Sequence, residues 1–259
     1  MRGWRTGRGG FVRARGLTLM VRRIVLVRHA QASFGSPDYD RLCPGGEEQA
    51  RLLGEHWASR GTAFARAWSG TCVRHVQTAQ CVANAYHQAG RAFPEVVVMS
   101  EFDEYPGATM YRAGLPRLLE ECEEARRLHR AIEHSADQAE QRRWFQQLFE
   151  QVIRKWVSGE LMVDGVEQWQ EFCARVDRGL AKIADDGASA GDAVVFTSGG
   201  PIGVAMRRAM NLSDMDTLQM TRMSRNASFS EFVSSGDRFT LSAFNAHPHL
   251  NDDSLLTYW

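Results

Sequence analysis

Ile24-Val25-Leu26-Val27-Arg28-His29-Ala30-Gln31 is the stretch whose reading decides the fold. Four consecutive apolar residues, three of them β-branched, read as a short buried strand. The strand ends in a cation and an imidazole, Arg28 and His29. A polar stretch rich in turn formers follows: Ser33, Gly35, Ser36, Pro37 and Asp38.

Outward from this strand the pattern alternates. Gly45 and Gly46 precede a helical stretch with Ala50, Leu53 and Trp57 on one face. A weak strand, Phe64 to Trp68, leads through Ser69-Gly70-Thr71 into a helix from about Cys72 to Gln88. Val96 to Met99 is a third strand, with Glu101 just past its end. Residues 107–165 are dense in Glu, Arg, Gln and Leu and are expected to be a helical insertion or cap over the core. Trp169, Phe172, Val176, Leu180 and Ile183 trace an amphipathic helix within 166–184. Val194 to Phe196 is a fourth strand, running through Thr197-Ser198-Gly199-Gly200 into a helix with Pro201 at its expected first position. Two antiparallel strands, 228–233 and 239–244, close the pattern. Strand–helix alternation predicts an α/β sheet covered by helices on both faces.

Each of the four strands ends in polar residues suited to phosphate chemistry. The first delivers Arg28 and His29, and the second delivers Arg74 one turn into its helix. The third delivers Glu101, and the fourth Ser198 with Gly199 and Gly200. In a mostly parallel sheet these ends share one edge, where open α/β folds place ligands. Two arginines hold a phosphate bidentately, and a Gly-rich turn into a helix adds backbone N–H donors. A neutral imidazole attacks phosphorus, and a carboxylic acid protonates the leaving oxygen.

The blocks that carry this chemistry resemble those of the histidine phosphatase (phosphoglycerate mutase-like) superfamily. Leu26-Val27-Arg28-His29-Ala30-Gln31 is similar to its Arg-His-Gly signature, with Ala30 where Gly is usual. Ser69-Gly70-Thr71-Cys72-Val73-Arg74-His75-Val76-Gln77-Thr78-Ala79 is similar to its second block. Met99-Ser100-Glu101 resembles the block carrying the general acid, Val195-Phe196-Thr197-Ser198-Gly199-Gly200 the Ser-His-Gly-Gly block, and His249-Leu250 its closing residues. The resemblance runs from about residue 22 to 250. It implies a three-layer α/β/α sandwich around a mostly parallel sheet, with the helical insertion over the active site. It also implies that His29 becomes phosphohistidine, that Glu101 donates to the leaving group, and that Arg28, Arg74, Ser198 and Gly199 bind substrate. Neither cofactor nor metal is called for, since arginines supply the charge stabilisation.

One departure matters. Ser198 stands where the family carries a second histidine that donates to the phosphoryl group. A serine hydroxyl still donates one hydrogen bond, and Arg222, Arg225, His247 and His249 are candidates to compensate. Glu104 rivals Glu101 as the acid within Glu-Phe-Asp-Glu. His56, His75, His87, His129 and His134 lie on helical stretches and read as surface groups, His75 with a place at the pocket rim as the alternative. His247-Pro248-His249 is too thin for a metal site.

Composition narrows the partners. Lys and Arg (31) balance Asp and Glu (31), so no overall field draws the chain to nucleic acid or a membrane surface. No apolar run nears the roughly 20 residues that span a bilayer. Five cysteines, none at CxxC spacing, favour a reducing compartment, and a cytoplasmic location is expected. The first 23 residues hold seven arginines and no acid. Residues 1–20 are expected to be a basic extension, either disordered, a transit peptide, or the product of a start ahead of Met20, the favoured reading. Residues 21–259 then form the domain. The expected activity is hydrolysis of a small-molecule phosphomonoester. A mutase would have to retain and reorient a bisphosphate, and Ala30-Gln31-Ala32-Ser33-Phe34 departs from the mutase pattern. The alternatives are a phosphoglycerate mutase-like phosphotransferase, a catalytically impaired phosphate-binding or interaction protein, and a nucleic-acid binder acting through the basic arm. Oligomeric state is left open.

Overall fold

The apolar run at 24–27 lies in the middle of the sheet. The computed structural model describes residues 11–14, 17–33, 40–185, 191–235 and 238–258. In chain order these form β1 (Phe11–Ala14), β2 (Leu17–Arg28), α1 (Pro44–Ser59), β3 (Arg66–Ser69), α2 (Val73–Gln88), β4 (Val96–Val98), α3 (Gly107–Glu121), α4 (Glu123–His134), α5 (Gln138–Val157), α6 (Trp169–Asp185), β5 (Ala193–Thr197), α7 (Gly199–Met210), α8 (Asp214–Met223), β6 (Phe229–Ser235) and β7 (Arg238–Ala246). The sheet order is β4-β3-β5-β2-β6-β7, with β1 pairing the start of β2. β2, β5, β3 and β4 are parallel, and β6 and β7 complete the sheet antiparallel.

Alternation along β2 builds the two outer layers. Val25 and Val27 pack with Leu53 and Trp57 of α1 and Val82 and Tyr86 of α2. Ile24 and Leu26 belong to a larger core with Phe172, Val176 and Leu180 of α6 and Ile202 of α7. The expected three-layer α/β/α sandwich is therefore present. At the turn into α1, a Cβ on Gly46 would lie 2.0 Å from Gln31 O. Only glycine lets the chain leaving His29 pass this close to the first turn of α1.

The insertion, α3 to α5, is part of the core and not a loose flap. Met110, Leu118, Leu128, Leu148, Val152 and Trp156 are buried in the same cluster as Trp169 and Phe172. Each such side chain contributes roughly 1.5–3 kcal/mol when buried, which opposes the ordering cost of three helices.

Four expectations need correction. β2 begins at Leu17, so Met20 lies inside a strand and not ahead of one. Phe11–Ala14, within the extension expected to be disordered, a transit peptide or the product of a start ahead of Met20, pairs antiparallel with Leu17–Met20; residues 1–10 and 15–16 lie outside the described set. α7 opens at Gly199, which makes Pro201 its third residue. α8, with Ser213 accepting from Asp216 N as its cap, was not anticipated. The expected turn-rich stretch after Ser33 lies almost wholly within 34–39, outside the described residues.

Candidate active site

Parallel pairing brings the carboxyl ends of four strands to one edge. Arg28 pairs Thr197, and Ser69 pairs both Phe196 and Val98. Just past these pairs the edge is stitched by His29 N donating to Thr197 O (2.7 Å), Gly70 N to Phe196 O (3.0 Å) and Met99 N to Ser69 O (2.8 Å).

His29 is buried at this edge, 6 % exposed. Its Nδ1 donates to Ala30 O at 2.9 Å. A nitrogen donating to a carbonyl carries the proton, so the lone pair of the neutral ring resides on Nε2. Burial pushes the imidazole well below its usual value, and the Arg74 and Arg28 charges and His75 push in the same direction. The ring is thus neutral and nucleophilic below ordinary histidine pH. Its backbone is held by Ala227 N and Asn226 Nδ2, both donating to His29 O at 3.2 Å. Ala30 N donates to Thr78 Oγ1 at 3.0 Å.

Arg28 donates to Ser224 O and, at 2.8 Å, to Tyr258 O. Arg74, in the first turn of α2, donates to Asp40 Oδ1 at 2.5 Å, and its side chain is 11 % exposed. The two guanidiniums, carried on different elements, both bear on His29.

The two acidic candidates separate clearly. Glu101 lies on a 3₁₀ turn, Ser100–Phe102, and pairs with Lys182 of α6, which holds its carboxyl below the usual range. That turn stops at Phe102, and Asp103 is extended (φ −73°, ψ 151°). The chain therefore carries Glu104 to the pocket side instead of stacking it over Glu101. Glu104 accepts from Gly200 N at 3.2 Å and from Tyr105 N at 3.0 Å. Burial pushes its carboxyl up, against the opposing pull of those two N–H groups, Arg74 and Arg28. The structure thus brings His29, Arg28, Arg74, Ser198 and Glu104 together and turns Glu101 towards α6.

Ser198 is buried at the N-cap of α7, and Gly199 is the first residue of that helix. Its hydroxyl lies 2.6 Å from His75 Nε2. His75, expected at the surface or at the pocket rim, is fully buried, and its ring centroid is 5.6 Å from that of His29. Burial and then Arg74 hold it well below the usual histidine value. The four candidates to compensate for the second histidine make other contacts. Arg222 pairs with Glu150 (2.6 Å), Arg225 bonds the Tyr258 hydroxyl and His247, and the His249 ring lies near those of His56 and Phe229.

The model of the histidine phosphatase superfamily (branch 1) matches residues 24–106 and 123–247, most of the chain. The chain belongs to that superfamily. The unmatched stretch between the two segments, 107–122, covers α3, the start of the insertion. Among solved structures, this histidine phosphatase superfamily member is similar to the alpha-ribazole phosphatase from Shigella flexneri (TM-score 0.58, 17 % identity, 87 % of this chain and 96 % of that one). It is also similar to phosphoglycerate mutase from Bacillus anthracis str. Sterne (0.57, 17 %, 89 % and 95 %). A third is phosphoserine phosphatase from Entamoeba histolytica, solved with 3-phosphoglyceric acid (0.59, 16 %, 88 % and 99 %). At these identities the likeness is one of fold. No curated protein matches the sequence.

Sequence reasoning left His75 at the surface or the pocket rim, although a signal for its burial was present. His75, Thr78, Ala79, Val82 and Tyr86 are all buried, at spacings 0, 3, 4, 7 and 11, one stripe of a helix. His75 opens the apolar face of α2. Beside it, Cys72, His75 and Asp103 bring potential metal-ligand atoms within 4.8 Å of one another. Both Asp103 oxygens are already engaged, by Thr71 N and the Thr71 hydroxyl.

Proposed function

We propose that this superfamily member hydrolyses a small-molecule phosphomonoester through a phosphohistidine on His29. The observation that carries the reading is His29 itself: a buried, neutral imidazole with Nδ1 committed to Ala30 O, acted on by the charges of Arg74 and Arg28, which also act on the Glu104 carboxyl of raised pKa. In the first step Nε2 of His29 forms a bond to phosphorus while the bond to the leaving oxygen breaks. Glu104 gives its proton to that oxygen. In the second step the resulting carboxylate takes a proton from water, the water oxygen bonds phosphorus, and the bond to Nε2 breaks. Inorganic phosphate leaves, and His29 and protonated Glu104 are restored. Arg28 and Arg74 balance the phosphoryl charge throughout.

Glu104 lines a cavity of about 380 Å³ together with Asp103, Pro106, Thr109, Glu167 and Arg175. Its size supports a leaving group of metabolite scale. All five thiols are free, which supports the cytoplasmic reading. No helix among the described residues is long and apolar enough to cross a membrane.

Rapid quench during turnover of p-nitrophenyl phosphate tests the mechanism. The expected adduct is an acid-labile, alkali-stable phosphoryl group on His29, absent in His29→Ala. A stable phosphoserine, or turnover undiminished in His29→Ala, would overturn it.

A further inference from the structure

We propose that Ser198 and His75 work as one donor to the phosphoryl group in transfer, with Ser198 touching the phosphoryl oxygen and His75 positioning its proton. The proposal rests on the reading of His29 as phosphoryl acceptor. Ser198 follows Thr197, whose carbonyl accepts from His29 N at 2.7 Å, so the serine flanks the nucleophile. A serine at an N-cap ordinarily turns its oxygen onto the N–H groups of the first helical turn. Ser198 makes no such bond to α7; its hydroxyl faces His75 Nε2 at 2.6 Å instead.

The direction of that bond follows from the other ring nitrogen. His75 Nδ1 is buried with no hydrogen-bond partner among the described residues. Asp103, the nearby carboxylate, makes no hydrogen bond to it and accepts instead from Thr71 N and the Thr71 hydroxyl. A proton on Nδ1 would be an orphaned buried donor, which is costlier than an orphaned lone pair. The proton therefore sits on Nε2 and donates to Ser198 Oγ. With a lone pair occupied in this way, the Ser198 hydroxyl proton is left to point onward.

The transfer needs such a donor here. Gly200 N, two residues past Ser198, is already given to Glu104. Arg28 and Arg74 approach from β2 and α2, so Ser198 supplies the contact at the start of α7. His75 and Ser198 keep their protons throughout, and the proton of the leaving group still comes from Glu104.

The test combines a double-mutant cycle with vanadate, which adopts the five-coordinate geometry of phosphoryl transfer. Ser198→Ala and His75→Leu should each lower kcat/KM by roughly 10²-fold. The double variant should lose about the same factor and not the product, because the pair acts as a unit. His75→Gln, which keeps an N–H donor, should recover most of the loss. In Ser198→Ala, vanadate binding should weaken about ten-fold or more, and inorganic phosphate binding less. Multiplicative losses in the double variant would overturn the pairing. So would unchanged kcat/KM and vanadate affinity in Ser198→Ala, which also decides the matter if His75→Leu does not fold. Failure of the His29 reading registers separately, as turnover surviving in His29→Ala; vanadate binding needs no turnover and still reports on Ser198.

Discussion

Glu104 accepts a hydrogen bond from Gly200 N at 3.2 Å, at the first turn of α7, whereas Glu101 three residues earlier pairs with Lys182 on α6. The two carboxyls therefore have opposite fates on substitution. Glu104→Gln keeps the acceptor for Gly200 N but has no proton to give. It should lower kcat by 10²–10⁴-fold on an alkyl phosphate. The loss should be far smaller on p-nitrophenyl phosphate, whose leaving group needs little protonation. Glu101→Gln should stay within about three-fold on both substrates. Steady-state kinetics of the two variants on the two substrates check the assignment, and the reverse ranking would restore Glu101.

The same two groups set the pH dependence of activity. His29 must be neutral, and its value is held well below 6.5. Glu104 must be protonated, and its value is raised above 4.5. The nucleophile thus survives into mild acid and the acid is lost as pH rises, so kcat should be highest on the acidic side of neutrality. In Glu104→Gln the alkaline limb should disappear from the kcat profile. A wild-type profile rising steadily to pH 9 would contradict this.

Arg74 is nearly buried and held by Asp40, whose side chain is 42 % exposed. Arg74→Ala removes a charge-assisted phosphate contact and should cost at least 10² in kcat/KM. Asp40→Asn weakens only a half-exposed ion pair and should cost less than ten-fold. Comparing the two variants separates binding of phosphate by Arg74 from its positioning by Asp40.

The layered fold was legible because one short run, 24–27, is apolar on both faces of the sheet, and because helix and strand periodicities alternate cleanly afterwards. The positions of His29, Arg28 and Arg74 were legible for a related reason: each lies at the end of a strand or immediately past a strand or a turn, so local order alone places it at the edge. Glu104 and His75 were legible only as alternatives, to Glu101 and to a surface position, because each depends on geometry of a single turn. An early end to the 3₁₀ turn at Phe102 sends Glu104 to Gly200 N and leaves Glu101 with Lys182. For His75, reading the polar residue type hid its place on the buried stripe of α2. The strand at Phe11–Ala14 was obscured by its arginine-rich composition, since backbone pairing asks little of side-chain charge.

Gly200 leaves room for the acid. A Cβ there would lie 1.9 Å from Glu104 Oε1 and 2.9 Å from the Tyr105 ring. Gly200→Ala should therefore expel the carboxyl from the start of α7 and lower kcat on an alkyl phosphate about as far as Glu104→Gln does. Alanine is a good helix residue, so the melting temperature should fall by only a few degrees. Full activity in a folded Gly200→Ala would mean that the carboxyl does not work from this place.

Three buried histidines make the fold sensitive to acid. Burial holds His29 and His75 well below 6.5 and lowers His249 to about 3. Below pH 6.5 the unfolded chain takes up protons on all three while the folded chain does not. Stability present above 6.5 is therefore lost as pH falls from 6.5 towards the folded values. Each group contributes a slope of about 1.4 kcal/mol per pH unit across that window. Glu104 works in the opposite sense, since its raised value favours the folded state below about 4.5 and loses that advantage as pH rises. Urea unfolding between pH 7.5 and 5.0 should show falling stability, and His75→Gln should flatten the slope by one proton's worth. An unchanged slope in that variant would mean that His75 is already charged in the folded protein, and the neutral donor it offers Ser198 would have to be given up.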